Sequence, residues 1–223
     1  MTRLNKYLAH NAGISRRQAD EAIEQGRVHV NGAAASLGTQ IEPEDTITLD
    51  GTVVSASQAY AYIALHKPVG YVCSRRAQGD NATIYALLPK ELHHLKPVGR
   101  LDKDSSGLIV LTDDGDFAHQ MTHPRFYKTK VYEISIDKPL APLHQQMIND
   151  YGVHLEDGPS KLQLQKLNDT ATQWQVTMHE GRNRQIRRTF DSLGYTVTAL
   201  HRTHFGAYTL SNLAPGKSKI ISK

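Results

Sequence analysis

Residues 99–112 read GRLDKDSSGLIVLT. Eight of the first ten positions are glycine, charged or hydroxyl-bearing, and they run directly into an apolar, β-branched stretch. That junction predicts a polar loop feeding a strand. Leu101 alternates with Arg100 and Asp102, so the arginine and the aspartate share one side of the chain as it enters the loop. A carboxylate held near cations stays ionised. By itself the segment would be a charged turn with an ordinary Arg–Asp pair, and Asp104 competes with Asp102 for any special role. The neighbouring segments decide between a surface turn and a site of chemistry.

Downstream, DDGD at 113–116 reads as a solvated acidic turn that starts a helix near Asp116. A calcium loop would also need a terminal Glu that is missing here. KVYEISI is a strand with Val131, Glu133 and Ser135 on one face and Tyr132, Ile134 and Ile136 on the other. LQLQKL and WQVTMHEG give two more strands. NRQIRRTFDSLG gives a helix with Ile186, Phe190 and Leu193 on one face and Gly194 as its stop. YTVTALHRTHFGAYTL returns to strand, and upstream YIALHKPVGYVCS is a strand as well. Many strands with few helices, not strictly alternating, predict an α+β domain on a mixed sheet over residues 61–223.

Residues 1–60 are organised differently. Leu4, Tyr7 and Leu8 repeat at helical spacing, and Asn11 and Gly13 end that helix. Ser15 with Gln18 forms a capping-box pattern at the start of a second helix, whose apolar face is Ala19, Ala22 and Ile23. RVHVNG is a strand ending in an Asn31-Gly32 turn. DTITLDGTVV is a hairpin turning at Asp50-Gly51. SASQA at 55–59 reads as a linker.

The chain has 223 residues, 39% of them hydrophobic, a net charge of +4 and a pI near 9.1. The charge is uneven. Residues 182–223 carry eight basic side chains and one acidic, which suits a polyanionic partner. In the first 60 residues, Arg3 and Lys6 lie on the first helix. Arg16 and Arg17 lie in the first turn of the second, where the helix dipole would favour acids. A helix N-terminus with two arginines is a phosphate site. The single cysteine, Cys73, permits no internal disulfide. No secretory signal or membrane-length apolar run is present. A soluble, cytoplasmic, monomeric protein is expected.

Candidate chemistries narrow quickly. There is no Walker or dinucleotide glycine pattern and no Gly-x-Ser-x-Gly elbow. His93-His94 and His201/His204 lack zincin spacing and read as ordinary histidines, so no metal site is expected. What is left is a carboxylate able to act as acid, base or nucleophile.

RLNKYLAHNAGISRRQADEAIEQGRVHVNG resembles the S4 RNA-binding domain. HKPVGYVCS, GRLDKDSSGL, KVYEI and EGRNRQIRR follow it in order, and together they resemble the RsuA-type family of ribosomal RNA pseudouridine synthases over essentially the whole chain. The family's GRLDxxTxGL is matched with Ser105 in place of Thr. The resemblance puts the catalytic aspartate at Asp102 and the active-site tyrosine at Tyr132. It puts the arginine that pairs with the aspartate at Arg187, and the KPxG motif at Lys67, Pro68 and Gly70. Arg100 ranks below these, as a group that fills the flipped base's place or binds backbone. Arg184, Arg188 and Arg202 join Arg3, Lys6, Arg16 and Arg17 as expected RNA contacts. His66, Thr189 and His204 depart from the family's usual Asn, Met and basic residue.

The implied reaction isomerises a specific uridine in ribosomal RNA to pseudouridine, with no cofactor. The partner is ribosomal RNA or an assembling subunit. The alternative is a non-catalytic S4-type RNA-binding or ribosome-assembly protein, which leaves the ordered trio unexplained. GRNRQIRR leans toward the large-subunit branch, while the motifs leave both subunits' RNA open. Asp102 could attack the base, attack the ribose or remove the 2′ proton, and the target base must first be flipped out of its stack.

Overall fold

The computed structural model describes residues 1–56, 59–75 and 79–223, so part of the SASQA segment lies outside the described residues. Clustering of the backbone gives two compact units, Met1–Tyr60 and Ala61–Lys223.

In the first unit, β1 (Thr2–Arg3) leads into α1 (Leu4–Asn11) and α2 (Arg16–Glu24). The Ser15 side chain accepts from the Gln18 amide at 3.2 Å, and the Ser15 amide donates to Gln18 Oε1 at 2.8 Å. This capping box is the one the sequence predicts, and it stabilises the helix start by satisfying otherwise orphaned amides. Strands β2 (Val28–Val30), β3 (Ala33–Ala34), β4 (Gln40–Ile41), β5 (Ile47–Leu49) and β6 (Thr52–Val53) follow. Four of them form a sheet in the order β3-β2-β5-β6, while β4 pairs with β1. Asn31 and Asp50 both take positive φ, as the two predicted turns require. Leu4, Leu8, Ala19, Ala22, Ile23, Val28, Ile41 and Ile47 form a core from both helices and the strands.

The second unit contains β7 (Tyr62–Lys67), β8 (Lys96–Val98), β9 (Ser106–Thr112), α3 (Gly115–Thr122), β10 (Lys130–Ile136) and α4 (Pro142–Gln146). It continues with β11 (Val153–Leu155), β12 (Gly158–Ser160), β13 (Gln163–Lys166), β14 (Gln173–Met178) and α5 (Gln185–Asp191). The last strands are β15 (Val197–Phe205), β16 (Tyr208–Thr209) and β17 (Ser218–Ile220). The main sheet runs β13-β14-β10-β15-β9-β7-β17, with β16 on β15 and β8 on β9. Every neighbouring pair is antiparallel except β9 and β15. Those run parallel over two residue pairs, His201 with Ser106 and Arg202 with Gly107. The sheet is thus mixed, as expected for the α+β class, and is two antiparallel halves joined at one short seam.

The seam explains Gly107. Its φ is +113°, and a Cβ there would lie 2.2 Å from the Arg202 carbonyl oxygen. Only glycine lets the strands approach this closely. Tyr132, Ile134, Ile136, Trp174, Val176, Ile186 and Phe190 fill the core under the β10 half. Ile63, Leu65, Ile84, Leu95, Ile109 and Leu111 fill one under the β9 half.

The acidic turn at 113–116 is solvated only in part: Gly115 and Asp116 are exposed, but Asp114 is not. Asp114 caps α3 and is only 3% exposed. Its carboxylate accepts from the Asp116 and Phe117 amides, Tyr62 Oη and Lys223 Nζ, at 2.8–3.0 Å. Burial pulls its pKa up, but the amides, Lys223 and Tyr62 outweigh burial and hold it at about 2. No helix among the described residues is long and apolar enough to cross a membrane.

Candidate active site

The loop between β8 and β9 carries Arg100, Asp102 and Asp104, and its backbone is fastened from beneath. Lys67 is fully buried at the end of β7. Its ammonium donates to the carbonyls of Pro68 (3.1 Å), Asp102 (2.9 Å) and Ser105 (2.5 Å). The Gly70 amide donates to Lys103 O at 2.7 Å, and the Leu101 amide approaches Cys73 Sγ at 3.5 Å. Leu101 itself packs in the same core as Tyr132. The hydrophobic anchor and the lysine fix the loop while the Asp102 carboxylate stays 39% exposed. Burial pushes the Lys67 pKa down. Lys67 was expected to bind substrate, but with no exposed surface it holds loop carbonyls instead.

The loop forms one edge of a cleft of about 560 Å³, whose lining includes Asp102, Tyr132, Arg182, Arg184, Arg187 and Arg202. Arg184 stands at the N-terminus of α5 in the left-handed region, φ +46°. A non-glycine residue there is strained. The arginine fork lies 3.4 Å from Asp102 Oδ2 and 3.3 Å from Asp104 Oδ1. Arg187, one turn into the helix, does not pair with Asp102 as expected. It lies 3.2 Å from Asp104 Oδ2 and donates to Asp104 O and Val197 O. The helix register accounts for this, because a residue one turn along α5 reaches the far end of the loop. Burial pulls the Asp104 carboxyl up, but the Arg184 and Arg187 contacts outweigh it, and its pKa falls below the usual value.

Tyr132 is central on β10, opposite Val176 of β14 and Arg202 of β15, and is 8% exposed. Arg202 was expected at the RNA-contacting surface but is 2% exposed. Its Nε donates to Leu108 O at 2.8 Å, and its Cζ lies 4.8 Å from the Phe205 ring centre. Alternation along β15 turns this residue into the cleft floor rather than outward. Arg188, also expected to touch RNA, is paired with Asp157 at 2.7 Å. Arg182 joins the same carboxylate at 2.8 Å and also donates to Pro159 O. Arg100, Arg3, Arg16 and Arg17 are exposed, and Lys6 is half-buried on α1.

Sequence reasoning did not single out Arg182, Lys130 or Phe205 in the cleft. The first two were visible only as part of the GRNR and KVY motifs, and Phe205 only as one residue of a predicted strand. Among the described residues, no group of three or more His, Cys, Asp or Glu side chains is placed to hold a metal ion. His201 instead bonds Ser106 at 2.8 Å, and burial and His66 push its pKa down. Thr189 is buried with its hydroxyl 2.8 Å from Gln185 O and Ser160 Oγ.

An arginine-rich cleft with a buried tyrosine on its floor and a carboxylate at its rim, on a chain that also carries a small module with two arginines at a helix start, has the make-up of an RNA-modifying enzyme. Comparison with known proteins agrees. Residues 61–192 match the family model described as RNA pseudouridylate synthase, and residues 2–47 match the S4 domain. The ribosomal small subunit pseudouridine synthase A of Pasteurella multocida is 38% identical, over 99% of this chain and 96% of that protein. The ribosomal large subunit pseudouridine synthase B of Bacillus subtilis is 34% identical, over 100% of this chain and 93% of that protein. A crystal structure of a pseudouridylate synthase superposes with a TM-score of 0.70 at 33% identity, covering 100% of this chain and 96% of that one. The chain belongs to the RNA pseudouridylate synthase family, with an S4 domain before the catalytic one, and is an isomerase.

Proposed function

We propose that this protein isomerises one uridine of ribosomal RNA to pseudouridine, with Asp102 as the catalytic carboxylate. The observation that carries this is Asp102 itself. It is held by its backbone on buried Lys67, with its carboxylate exposed at the edge of the Tyr132 cleft. A rigid backbone with an exposed side chain is what an attacking or proton-abstracting group needs. Arg184, 3.4 Å away, aims that carboxylate. Arg187 fixes the Asp104 end of the loop.

Tyr132 presents a ring for the extruded uracil to stack on. Flipping the base out takes a few kcal/mol, which contacts to the flanking strand supply. Arg100 and Arg184, exposed at the cleft edge, are placed for those phosphates. The N-terminal module, with Arg16 and Arg17 at a helix start, adds sequence-independent grip. The isomerisation exchanges a C–N for a C–C bond with no net oxidation, so its balance calls for no redox partner.

The relatives named above act on small- and large-subunit RNA respectively, and both are candidate substrates here. The protein is expected to act as a monomer in the cytoplasm, on naked RNA or an assembling subunit. The test is incubation with both ribosomal RNAs and with partly assembled subunits, followed by carbodiimide mapping of pseudouridine. One new stop with the wild-type protein, lost with Asp102→Asn, is the expected result. RNA binding without any new stop would favour the non-catalytic alternative.

A further inference from the structure

The cleft floor holds two buried cations that the reading above leaves without a task. Lys130 is 8% exposed and Arg202 is 2% exposed. Among the described residues neither forms an ion pair. The Lys130 ammonium donates to a backbone carbonyl, Glu180 O, at 3.1 Å. Arg202 uses Nε on Leu108 O, and its Nη2 is buried with no hydrogen-bond partner. Both lie against one aromatic ring, the Lys130 Nζ 5.7 Å and the Arg202 Cζ 4.8 Å from the centre of Phe205. Arg202 also lies opposite Tyr132 across the strands, its Cζ 6.0 Å from that ring's centre. Gly181 leaves room for the lysine, since a Cβ there would stand 3.2 Å from Nζ. Burial, and after it the Arg202 charge, push the Lys130 pKa down, partly offset by Glu180.

Two like charges kept buried without counter-ions destabilise a fold, so an anion must meet them at some stage of the cycle. We propose that Lys130 and Arg202 receive the oxygens of the uracil ring and stabilise the negative charge that develops on it. The proposal rests on the synthase reading. A phosphate is the lesser fit, because Tyr132, Phe205, Leu200 and Met178 line the cleft alongside these cations and suit a flat ring. The exposed arginines are better placed for backbone phosphates. The charge balance is the same for each route open to Asp102. If the C1′–N1 bond breaks, its electron pair stays on the base and spreads over N1, O2 and O4. The sugar carbon then bonds the Asp102 carboxylate, or the sugar loses its 2′ proton to it. If Asp102 instead adds to C6 of the ring, the displaced π pair moves to O4. In each case the ring oxygens become anionic, and on the C6 route the C1′–N1 bond breaks after the addition. C5 then bonds C1′, the Asp102 bond to C1′ or C6 breaks or the 2′ proton is returned, and C5 loses its proton while N1 gains one. Donors aimed at charge that appears only during reaction are the kind that raise the rate.

The test combines a protein change with a substrate change. Lys130→Met is compared with wild type on RNA containing the mapped uridine, and on RNA with 2-thiouridine or 4-thiouridine at that position. Sulfur accepts hydrogen bonds poorly. At saturating RNA, the single-turnover rate on uridine should fall by about 10²–10³ for Lys130→Met, with RNA affinity within about twofold of wild type. Wild type should slow on at least one thio-RNA, and on that RNA the variant should show little further loss. The melting temperature of Lys130→Met should be equal to or above wild type, since the change removes a buried unpaired charge. Losses that simply multiply would overturn the contact with the base. Loss of affinity at an unchanged saturated rate would make Lys130 a phosphate ligand. A large drop in melting temperature, or failure to fold, would make it a structural residue. If wild type itself modifies no ribosomal RNA, the synthase reading fails and takes this proposal with it.

Discussion

Replacing Gly107 by alanine should do more damage than the loss of any exposed charge in the cleft. Its φ of +113° lies outside the regions that L-residues adopt freely, which costs about 1–2 kcal/mol. The added Cβ would also stand 2.2, 2.5 and 2.8 Å from the O, N and C atoms of Arg202. These are backbone atoms, so no side-chain rotation relieves the overlap. The strands must separate by roughly 1 Å, and the parallel seam has only two residue pairs to lose. Giving up their hydrogen bonds adds about 1–2 kcal/mol. The total is about 2–4 kcal/mol, or roughly a 4–16 °C fall in melting temperature for a domain of this size. Gly70→Ala provides the comparison. Its φ is +93° with nothing within 4 Å of the added atom, so it bears only the dihedral strain. Thermal melts followed by near-ultraviolet circular dichroism would compare the two. A Gly107→Ala variant no less stable than Gly70→Ala would refute the close-approach argument.

Asp102→Asn should abolish isomerisation with RNA binding nearly intact, while Asp104→Asn should be milder. An active Asp102 variant beside a dead Asp104 variant, in single-turnover assays, would reverse the assignment. Changing Arg16 and Arg17 together to alanine should weaken RNA binding and flatten the log K against log salt slope by roughly 0.7–0.9 per lost contact. The saturated chemical rate should stay near wild type, and normal binding by the double variant would remove that module from the anchoring role. Asp114 has its pKa depressed to about 2, so its contribution is present above the ordinary carboxylate value near 3.8 and is lost as pH falls through about 2. Because Lys223 over it is more than half exposed, the contribution is about 1–2 kcal/mol. Melts of wild type and Asp114→Asn should therefore differ at pH 6 and converge near pH 2, whereas a gap that persists in acid would assign the effect to packing.

Much of this architecture could be read from one-dimensional pattern, and the failures have physical causes. The capping box at Ser15, the turns at Asn31 and Asp50 and the alternation along β10 are local signals, and each appears where local chemistry demands it. β8 and β17 are three residues each and carry no periodicity, so only pairing with β9 and β7 makes them strands. The Asp114 turn looked solvated because nothing nearby in the chain announces Tyr62 and Lys223. In the cleft, motif position separated Asp102 and Tyr132 from the background. It could not distribute the arginines, because which of Arg184 and Arg187 reaches which aspartate depends on how α5 is turned against the loop. Arg202 and Lys130 were harder still. A charged residue in a strand reads as outward-facing unless the layer packed above it is known.

The seam between β9 and β15 also has a bearing on the order of folding. Ser106 and His201, which meet there, are 95 residues apart in the chain. Within each half, strands such as β13 and β14, or β14 and β10, join over shorter loops and can form early. Closing the longest loops slows folding most. Asp102 enters from the β9 side, while Tyr132 and Arg202 belong to the β10–β15 side. The reactive constellation is therefore assembled by the slow step itself. A refolding chain should regain secondary structure before it regains catalysis, and an RNA-binding module that needs none of these strands could hold a transcript before the enzyme is able to change it.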